Sequence, residues 1–382
     1  MESSAEDVLM FHVLFGLPAL YVVSRWLWPL PLPLPASIVL ALAVLLASQY
    51  HLLCRISSGS PFAPEMPRRW VIALNWAFAA VVLLALFQIV IDIAALLPML
   101  VARQNLPIPD GLRYAIAAAA MALSALGVRQ AILVPSLKDV MVEITGLPTQ
   151  FEGYTLLQLT DLHISRLFDR AWTDAVVNAS NRLGVDLIVI TGDVADGSVE
   201  LRREAAAPLA KLSAPDGVHV ISGNHEYFFD YRDWMVLFAT LGFRSLENGH
   251  TLLERHGSCL VLAGVTDLSA PETGLPGPDL SKALAGAPPN VPVILLDHQP
   301  RNAHLAAARG VALQLSGHTH GGMVSGLARL VALANKGFVS GSYAVRDMHL
   351  YVSNGTALWP GFALRLGKAA ELTRITLKQR QV

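Results

Sequence analysis

The sequence predicts two modules in series: a helical bundle that spans a membrane, then an α/β sandwich. Three observations carry that expectation. Apolar residues make up 53% of the 382-residue chain and charged residues only 15%, against about 25% charged in an average soluble domain. The shortage is uneven, because residues 1–135 hold only 7 Lys or Arg and 6 Asp or Glu of the chain's 28 and 29. From residue 153 onward the long apolar runs give way to short aliphatic segments punctuated by Gly, Asp, Asn and His and interleaved with helical stretches. A net charge of −1 with no basic block argues against a nucleic-acid partner, and Cys54 and Cys259 are too few for a disulfide framework.

Four apolar stretches, 8–28, 36–54, 70–97 and 112–134, each reach the roughly 20 residues a helix needs to cross the hydrocarbon core, so residues 1–138 are expected to form a multi-pass membrane domain with four spans. Glu2, Glu6 and Asp7 stand where a cleavable leader would be basic, so the first span is expected to be retained. Pro29, Pro31, Pro33 and Pro35 cannot continue a helix and mark the first connector; 57–69 and 98–111 form the next two. Arg55, Arg68, Arg69, Arg129 and Lys138 flank one side of such a bundle, and Arg25, Arg103 and Arg113 the other. The excess of positive charge places both ends, and the domain after the bundle, in the cytoplasm; a bacterial inner membrane is the expected location. Asn75, Gln88, Asp92 and Arg129 interrupt the runs and should face the bundle interior or an interface.

A linker is expected at 139–152, followed by the α/β domain at 153–382. Its strands are read at 155–159, 187–191, 219–222, 260–263, 293–296 and 311–315, with helices at 171–183, 201–212, 231–241 and 304–308 between them. Further strands at 338–343, 350–353, 362–366 and 372–377 complete the sheets, and the Pro- and Gly-rich passage 271–292 reads as a loop near the site, a candidate lid.

Just beyond these strands lies a succession of metal-ligand residues: TDLH with Asp161 and His163, TGDVAD with Asp193 and Asp196, SGNHE with Asn224 and His225, LLDHQP with Asp297 and His298, and SGHTHGG with His318 and His320. A single carboxylate or histidine at a strand end is usually an ordinary turn residue. Five in register are not, because open sheets gather ligands at the carboxyl ends of their strands. Carboxylate, imidazole and amide oxygen together suit Mn, Fe or Zn, and one shared carboxylate can hold two ions about 3.5–4 Å apart. Asp193, which ends an apolar strand at a glycine turn, is the best candidate for the shared group.

This ordered set resembles the calcineurin-like metallophosphoesterases, including their membrane-associated bacterial members, over about residues 155–377. The resemblance implies a four-layer sandwich of helices around two mixed sheets, and two divalent metal ions as cofactors. It implies that Asp161, His163, Asp193 and His320 hold one ion, and Asp193, Asn224, His298 and His318 the other. His225 would not ligate; it would contact phosphate and protonate the leaving oxygen, while hydroxide activated by the metals attacks phosphorus in line. Asp196 and Asp297 are read as supporting residues and Glu226 as a loop-ordering one. The closing segment SNGTALWPGFALRLGKAAEL resembles that of the membrane-associated branch, except that Ala369 and Ala370 stand where a proline-rich turn is common.

The expected function is a membrane-anchored two-metal phosphohydrolase acting on a phosphoester or pyrophosphate of a small molecule or lipid. Two alternatives remain at this stage: a soluble-substrate or cyclic-nucleotide phosphodiesterase, and a non-catalytic membrane receptor or transporter whose domain merely binds metal and phosphate.

Overall fold

The computed structural model describes residues 5–103 and 108–380. They form two compact units, one of residues 1–130 with Pro360–Leu364 and one of 131–359 with 365–382.

The first unit is helical: α1 (Ala5–Val22), a π-helical turn at Val23–Leu27, α2 (Leu34–Ser48), α3 (Tyr50–Ser58), α4 (Arg68–Ala102) and α5 (Asp110–Ile132). Pro35 sits in the first turn of α2, where its missing N–H costs nothing. Two helices among the described residues are long and apolar enough to cross a membrane, Arg68–Val101 and Asp110–Ile132; α2 and α3, bent by 54°, make a third only if the pair is one span. Of the four expected spans, two or three are found among the described residues. The second stretch breaks at Gln49, while the first runs on helically through the π turn at Val23–Leu27, its side chains at 8–12 lying outside the described residues. Val90, Ile93, Leu100 and Val101 of α4 stand 65–77% exposed, a surface suited to lipid rather than water.

Asn75 and Gln88 are buried inside this unit as expected. The Asn75 amide donates to the Tyr50 hydroxyl (2.9 Å) and to the carbonyls of Val71 and Pro360 (3.0 Å each), and its oxygen accepts from the Ala363 amide (2.7 Å). Asp92 receives Arg25 through both oxygens (2.9 and 3.1 Å) together with Gln88 (2.8 Å) and the Tyr21 hydroxyl. Arg129 departs from the expectation. It is exposed in the last turn of α5, where a cation suits the negative helix end.

The second unit contains β1 (Ser136–Ile144), β2 (Thr155–Leu159), α6 (Arg170–Asn181), β3 (Leu187–Thr191), α7 (Val199–Ala206), β4 (Val218–Ile221), α8 (Asn224–Phe228), α9 (Tyr231–Thr240), β5 (Arg244–Ser245), β6 (Gly249–Arg255), β7 (Ser258–Gly264), α10 (Leu280–Ala283), β8 (Val293–Leu296), α11 (Ala303–Ala308), β9 (Leu313–Ser316), α12 (Ala328–Ala334), β10 (Gly341–Val345), β11 (Met348–Val352) and β12 (Glu371–Gln379). Its two six-stranded sheets run β1-β12-β2-β3-β4-β5 and β10-β11-β9-β8-β7-β6, and both are mixed. One core lies between them: Leu156, Val189, Ile221 and Ile375 of the first sheet pack with Leu260, Leu262, Ile294, Leu296, Leu313 and Leu315 of the second. Alternation turns Val261, Val293 and Leu295 to the far side of the second sheet, where Leu280, Ala283, Ala303 and Ala306 of α10 and α11 cover them.

Three expectations change here. Residues 139–152 are not a linker: Ser136–Ile144 is a strand paired in parallel with β12 over nine positions, and Val142 and Ile144 face the core. The segment 362–366 is not a strand, because Ala363 gives its amide to Asn75 and Arg365 turns inward. Nor is 271–292 a free lid: Leu280 and Ala283 hold it to the outer core, and Asn248 fixes Gly277 and Asp279.

Candidate metal centre

Every predicted ligand lies within a few residues of the carboxyl end of a strand: Asp161 and His163 after β2, Asp193 after β3, Asn224 after β4, His298 after β8, and His318 and His320 after β9. The parallel register of β2, β3 and β4, and of β8 and β9, brings those ends together.

The donor atoms fall into three overlapping groups, each within 4.8 Å: Asp161, His163 and His320; His163, Asp193 and His225; Asp193, His298 and His318. In the first, His320 Nε2 lies 3.6 Å and His163 Nε2 4.0 Å from Asp161 Oδ1. In the third, His298 Nε2 lies 3.2 Å from Asp193 Oδ2. Asn224 Oδ1 lies 3.1 Å from His298 Nε2 and 2.9 Å from His318 Nδ1, so it joins this group. Asp193 belongs to two groups, and its Oδ2 is 3.9 Å from both His163 Nε2 and His225 Nε2.

The second nitrogen of several rings is committed elsewhere, which aims the first. His298 Nδ1 donates to the Thr191 carbonyl (2.8 Å), leaving Nε2 to the centre. Asp196 accepts from His163 Nδ1 at 3.1 Å and from His225 Nδ1, so one buried carboxylate orients two imidazoles. Glu226 receives the amides of Gly223 (2.7 Å), Asp193 (3.0 Å) and Val194 (2.7 Å), binding the GNHE turn to the GDVAD turn. Thr160 Oγ1 donates to Asp161 (2.8 Å), as does the His318 amide (3.1 Å). At Gly317 a Cβ would overlap both Thr160 Oγ1 and an Asp161 oxygen, so only glycine lets the strands approach this closely.

Electrostatics favours cations here. Burial works against the charge on Asp193, yet His298, His225 and His163 hold its pKa well below the usual carboxylate range. Burial would lower His298, but Asp193 and Asp161 raise it well above its ordinary value: a proton stands there in the place of other positive charge. Burial, with His298 beside it, pushes His318 down to about 3, and burial with His163 and Arg365 depresses His320, which leaves both rings neutral and able to ligate. His163 Nε2, which faces Asp161 and Asp193, is buried without a hydrogen-bond partner among the described residues. An orphaned imidazole nitrogen between buried carboxylates fits divalent ions of the Mn, Fe or Zn kind.

Five of the seven predicted ligands, Asp161, His163, Asp193, His318 and His320, have φ between 43° and 69°. Left-handed backbone costs a non-glycine residue on the order of 1 kcal/mol or more, and it persists where the surroundings over-determine it. Here the Asp161 and His163 amides donate to the carbonyls of Gly192 and Asp193.

Sequence reasoning did not find Arg365. Fully buried, it donates to the carbonyls of His320 (3.3 Å), Lys368 (3.2 Å), Asn354 (2.7 Å) and Ala357 (2.7 Å), with no carboxylate among these partners. Its one sequence signal is an arginine between leucines in ALRLG. Asp297 belongs to none of the three ligand groups.

The family model of the calcineurin-like phosphoesterases matches residues 154–322, which contain every predicted ligand and His225. The chain is 35% identical over 266 residues to a zebrafish (Danio rerio) protein named "Transmembrane protein with metallophosphoesterase domain", covering 67% of this chain and 60% of that one. A cattle (Bos taurus) protein of the same name is 36% identical over 269 residues with the same coverages. The chain thus spans about three fifths of the length of these two relatives. A metallophosphoesterase of Bacillus subtilis is 32% identical over 240 residues, covering 61% of this chain and 82% of its own length. With that much of a relative matched, and with the ligand motifs in order, the chain belongs to the calcineurin-like metallophosphoesterase family.

Proposed function

We propose that the chain is a membrane-anchored, metal-dependent phosphohydrolase whose helical unit serves as membrane domain and whose α/β unit cleaves a phosphoester or pyrophosphate carried by a lipid. The observation that carries the hydrolase reading is the convergence of Asp161, His163, Asp193, Asn224, His298, His318 and His320 in overlapping donor groups around one shared carboxylate. Asp161, His163, Asp193 and His320 would hold one divalent ion, and Asp193, Asn224, His298 and His318 the other. Such a pair supplies Lewis acidity that lowers the pKa of water and neutralises charge on phosphoryl oxygens.

His225 then has a separate task. Its Nδ1 is fixed by Asp196, and its side chain, 11% exposed, is the most accessible of the buried site histidines, with Nε2 directed at the centre. Burial would lower its pKa, but Asp193 and Asp196 raise it to about 9. With Nδ1 committed to Asp196, an Nε2–H on this ring can contact a phosphoryl oxygen and give its proton to the leaving oxygen. Glu226, with three amides bound to its carboxylate, holds the turn and is not a base.

The lipid-borne substrate rests on the apolar helices, on the names of the two vertebrate relatives, and on the advantage of anchoring a site at the surface where its substrate resides. The purified full chain, loaded with Mn, is expected to hydrolyse an aryl phosphate or aryl phosphodiester and to lose that activity with a chelator. Asp193→Ala should abolish turnover and lower metal content. His225→Ala should keep its metals while turnover falls by about 10²–10⁴. If metal and activity leave together in His225→Ala, His225 is a ligand, as its place in the group with His163 and Asp193 allows; full activity in Asp193→Ala would sink the centre itself.

A further inference from the structure

The loop that carries His318 and His320 leads into α12, a seven-residue helix, Ala328–Ala334, with no buried residue. Leu330 and Leu333 of this helix are 65% and 79% exposed, the latter more than any other large apolar side chain described. Leu327, Leu330 and Leu333 are spaced three apart, so they lie along one side of the helix.

Both ends of the excursion are fastened to the ligand loop. At its start, Ala328 packs so close to Gly322 that a Cβ there would meet its Cα at 2.7 Å. At its end, Thr319 Oγ1, between the two histidines, donates to the Val339 carbonyl (2.7 Å). The excursion therefore keeps a fixed place at the rim of the candidate centre.

Its charge is one-sided. Between His298 and Arg346 there is no Asp or Glu, while Arg301, Arg309, Arg329, Lys336 and Arg346 are cationic, three of them from α12 onward. Exposed leucines in a stretch of sequence whose charged residues are all basic match one surface: the boundary of an anionic bilayer, where leucine enters the acyl region and Lys and Arg meet headgroups. The candidate span α5 lies next to this domain in sequence, since three residues separate its Ile132 from Ser136 of β1.

We infer that α12 is a bilayer-docking element that inserts Leu330 and Leu333 into anionic lipid beside the metal centre, so that a phosphorylated headgroup is presented to the site without leaving the membrane. This deepens the proposed function and rests on it for the substrate, while the docking stands on the exposed helix alone.

The test uses the full chain in nanodiscs of equal phosphatidylglycerol and phosphatidylcholine, with Cys54 and Cys259 changed to Ser and a nitroxide attached at Leu333→Cys. Docking predicts that the label collides more with oxygen than with a water-soluble nickel chelate. A label open to the chelate, or shielded from both, as against a second copy of the chain, overturns it. In the same discs Leu330→Ser/Leu333→Ser should lower turnover of an aryl phosphodiester built on diacylglycerol at least about tenfold, as loss of two inserted leucines requires. Turnover of bis(p-nitrophenyl) phosphate in solution should be unchanged. Undiminished lipid turnover, or equal loss on both substrates, rejects the role in presentation. Should the unsubstituted chain hydrolyse neither compound, the hydrolase reading fails, and the collision measurement still decides the docking.

Discussion

Asp196 illustrates how much of the site depends on residues that would touch neither metal nor substrate. It aims His163 and His225, and Arg202 holds its own backbone in turn, Nε donating to the Asp196 carbonyl at 2.6 Å. Asp196 and Glu226 were legible because they lie inside motifs whose spacing already implied a centre. Arg365 was not, because its partners are backbone carbonyls, which leave no trace in residue type. Its pKa is driven down to about 10 by burial, against the opposing pull of Asp161 and Glu371, so it remains a cation at neutral pH. Replacing it by Met takes away the donor to the carbonyls of Asn354 and Ala357 and one of the two donors to that of His320. Arg365→Met is expected to weaken metal binding about 10–100-fold, as removal of an outer support commonly does. Arg365→Lys should restore little, since one ammonium cannot reproduce a planar fork reaching four carbonyls. Metal titration of the stripped chain measures both; unchanged affinity in Arg365→Met would remove Arg365 from the support of the centre.

At the scale of elements, apolar strands ending in a ligand motif were readable, whereas strands without one were not. The segment SLKDVMVEI carries three charges and follows the apolar helix α5, so it reads as the start of a linker. Its identity as β1 comes from a partner more than 230 residues away, which no local pattern reveals. The 362–366 stretch erred the other way: it is locally strand-like, but its groups are claimed by Asn75 and by the Arg365 carbonyl cage. Asp186 shows how the two sheets are pinned at their far end. Its carboxylate accepts from the Thr155 amide and hydroxyl (2.8 Å each) beside β2, and from Arg255 of β6 (2.6 Å). Burial would raise its pKa, but Thr155 and Arg255 outweigh that and hold it low. Because the folded pKa is depressed, the stabilisation is present above the unfolded value near 4 and is lost as pH falls through the folded one. Asp186→Asn should therefore melt lower than the unsubstituted chain at pH 7, with the gap closing below about pH 4. Thermal unfolding at both pH values checks this, and a gap that persists at low pH would contradict the sign.

At the scale of the whole molecule, the composition break near residue 135 marked the change from helices to sheets, but not how many helices cross. The excess of positive charge on one side of the helices predicts that the α/β unit lies in the cytoplasm. The two cysteines offer a direct reading, since Cys54 is buried and Cys259 partly exposed. A membrane-impermeant maleimide should label Cys259 in inverted vesicles and not in intact cells; labelling of intact cells would place the unit on the other side.

The parallel pairing of β1 with β12 also has a consequence in time. Asp139 and Arg374, joined across that pair, are 235 residues apart, and at about 5–20 residues per second that distance takes roughly 10–50 s to synthesise. Throughout that interval β1 and the β12-facing edge of β2 lack the strand that fills the gap between them. Such edges invite pairing with other chains. The protein therefore passes through an aggregation-sensitive stage on every round of translation, and a chaperone acting on the nascent chain would have its greatest effect before Glu371–Gln379 emerges.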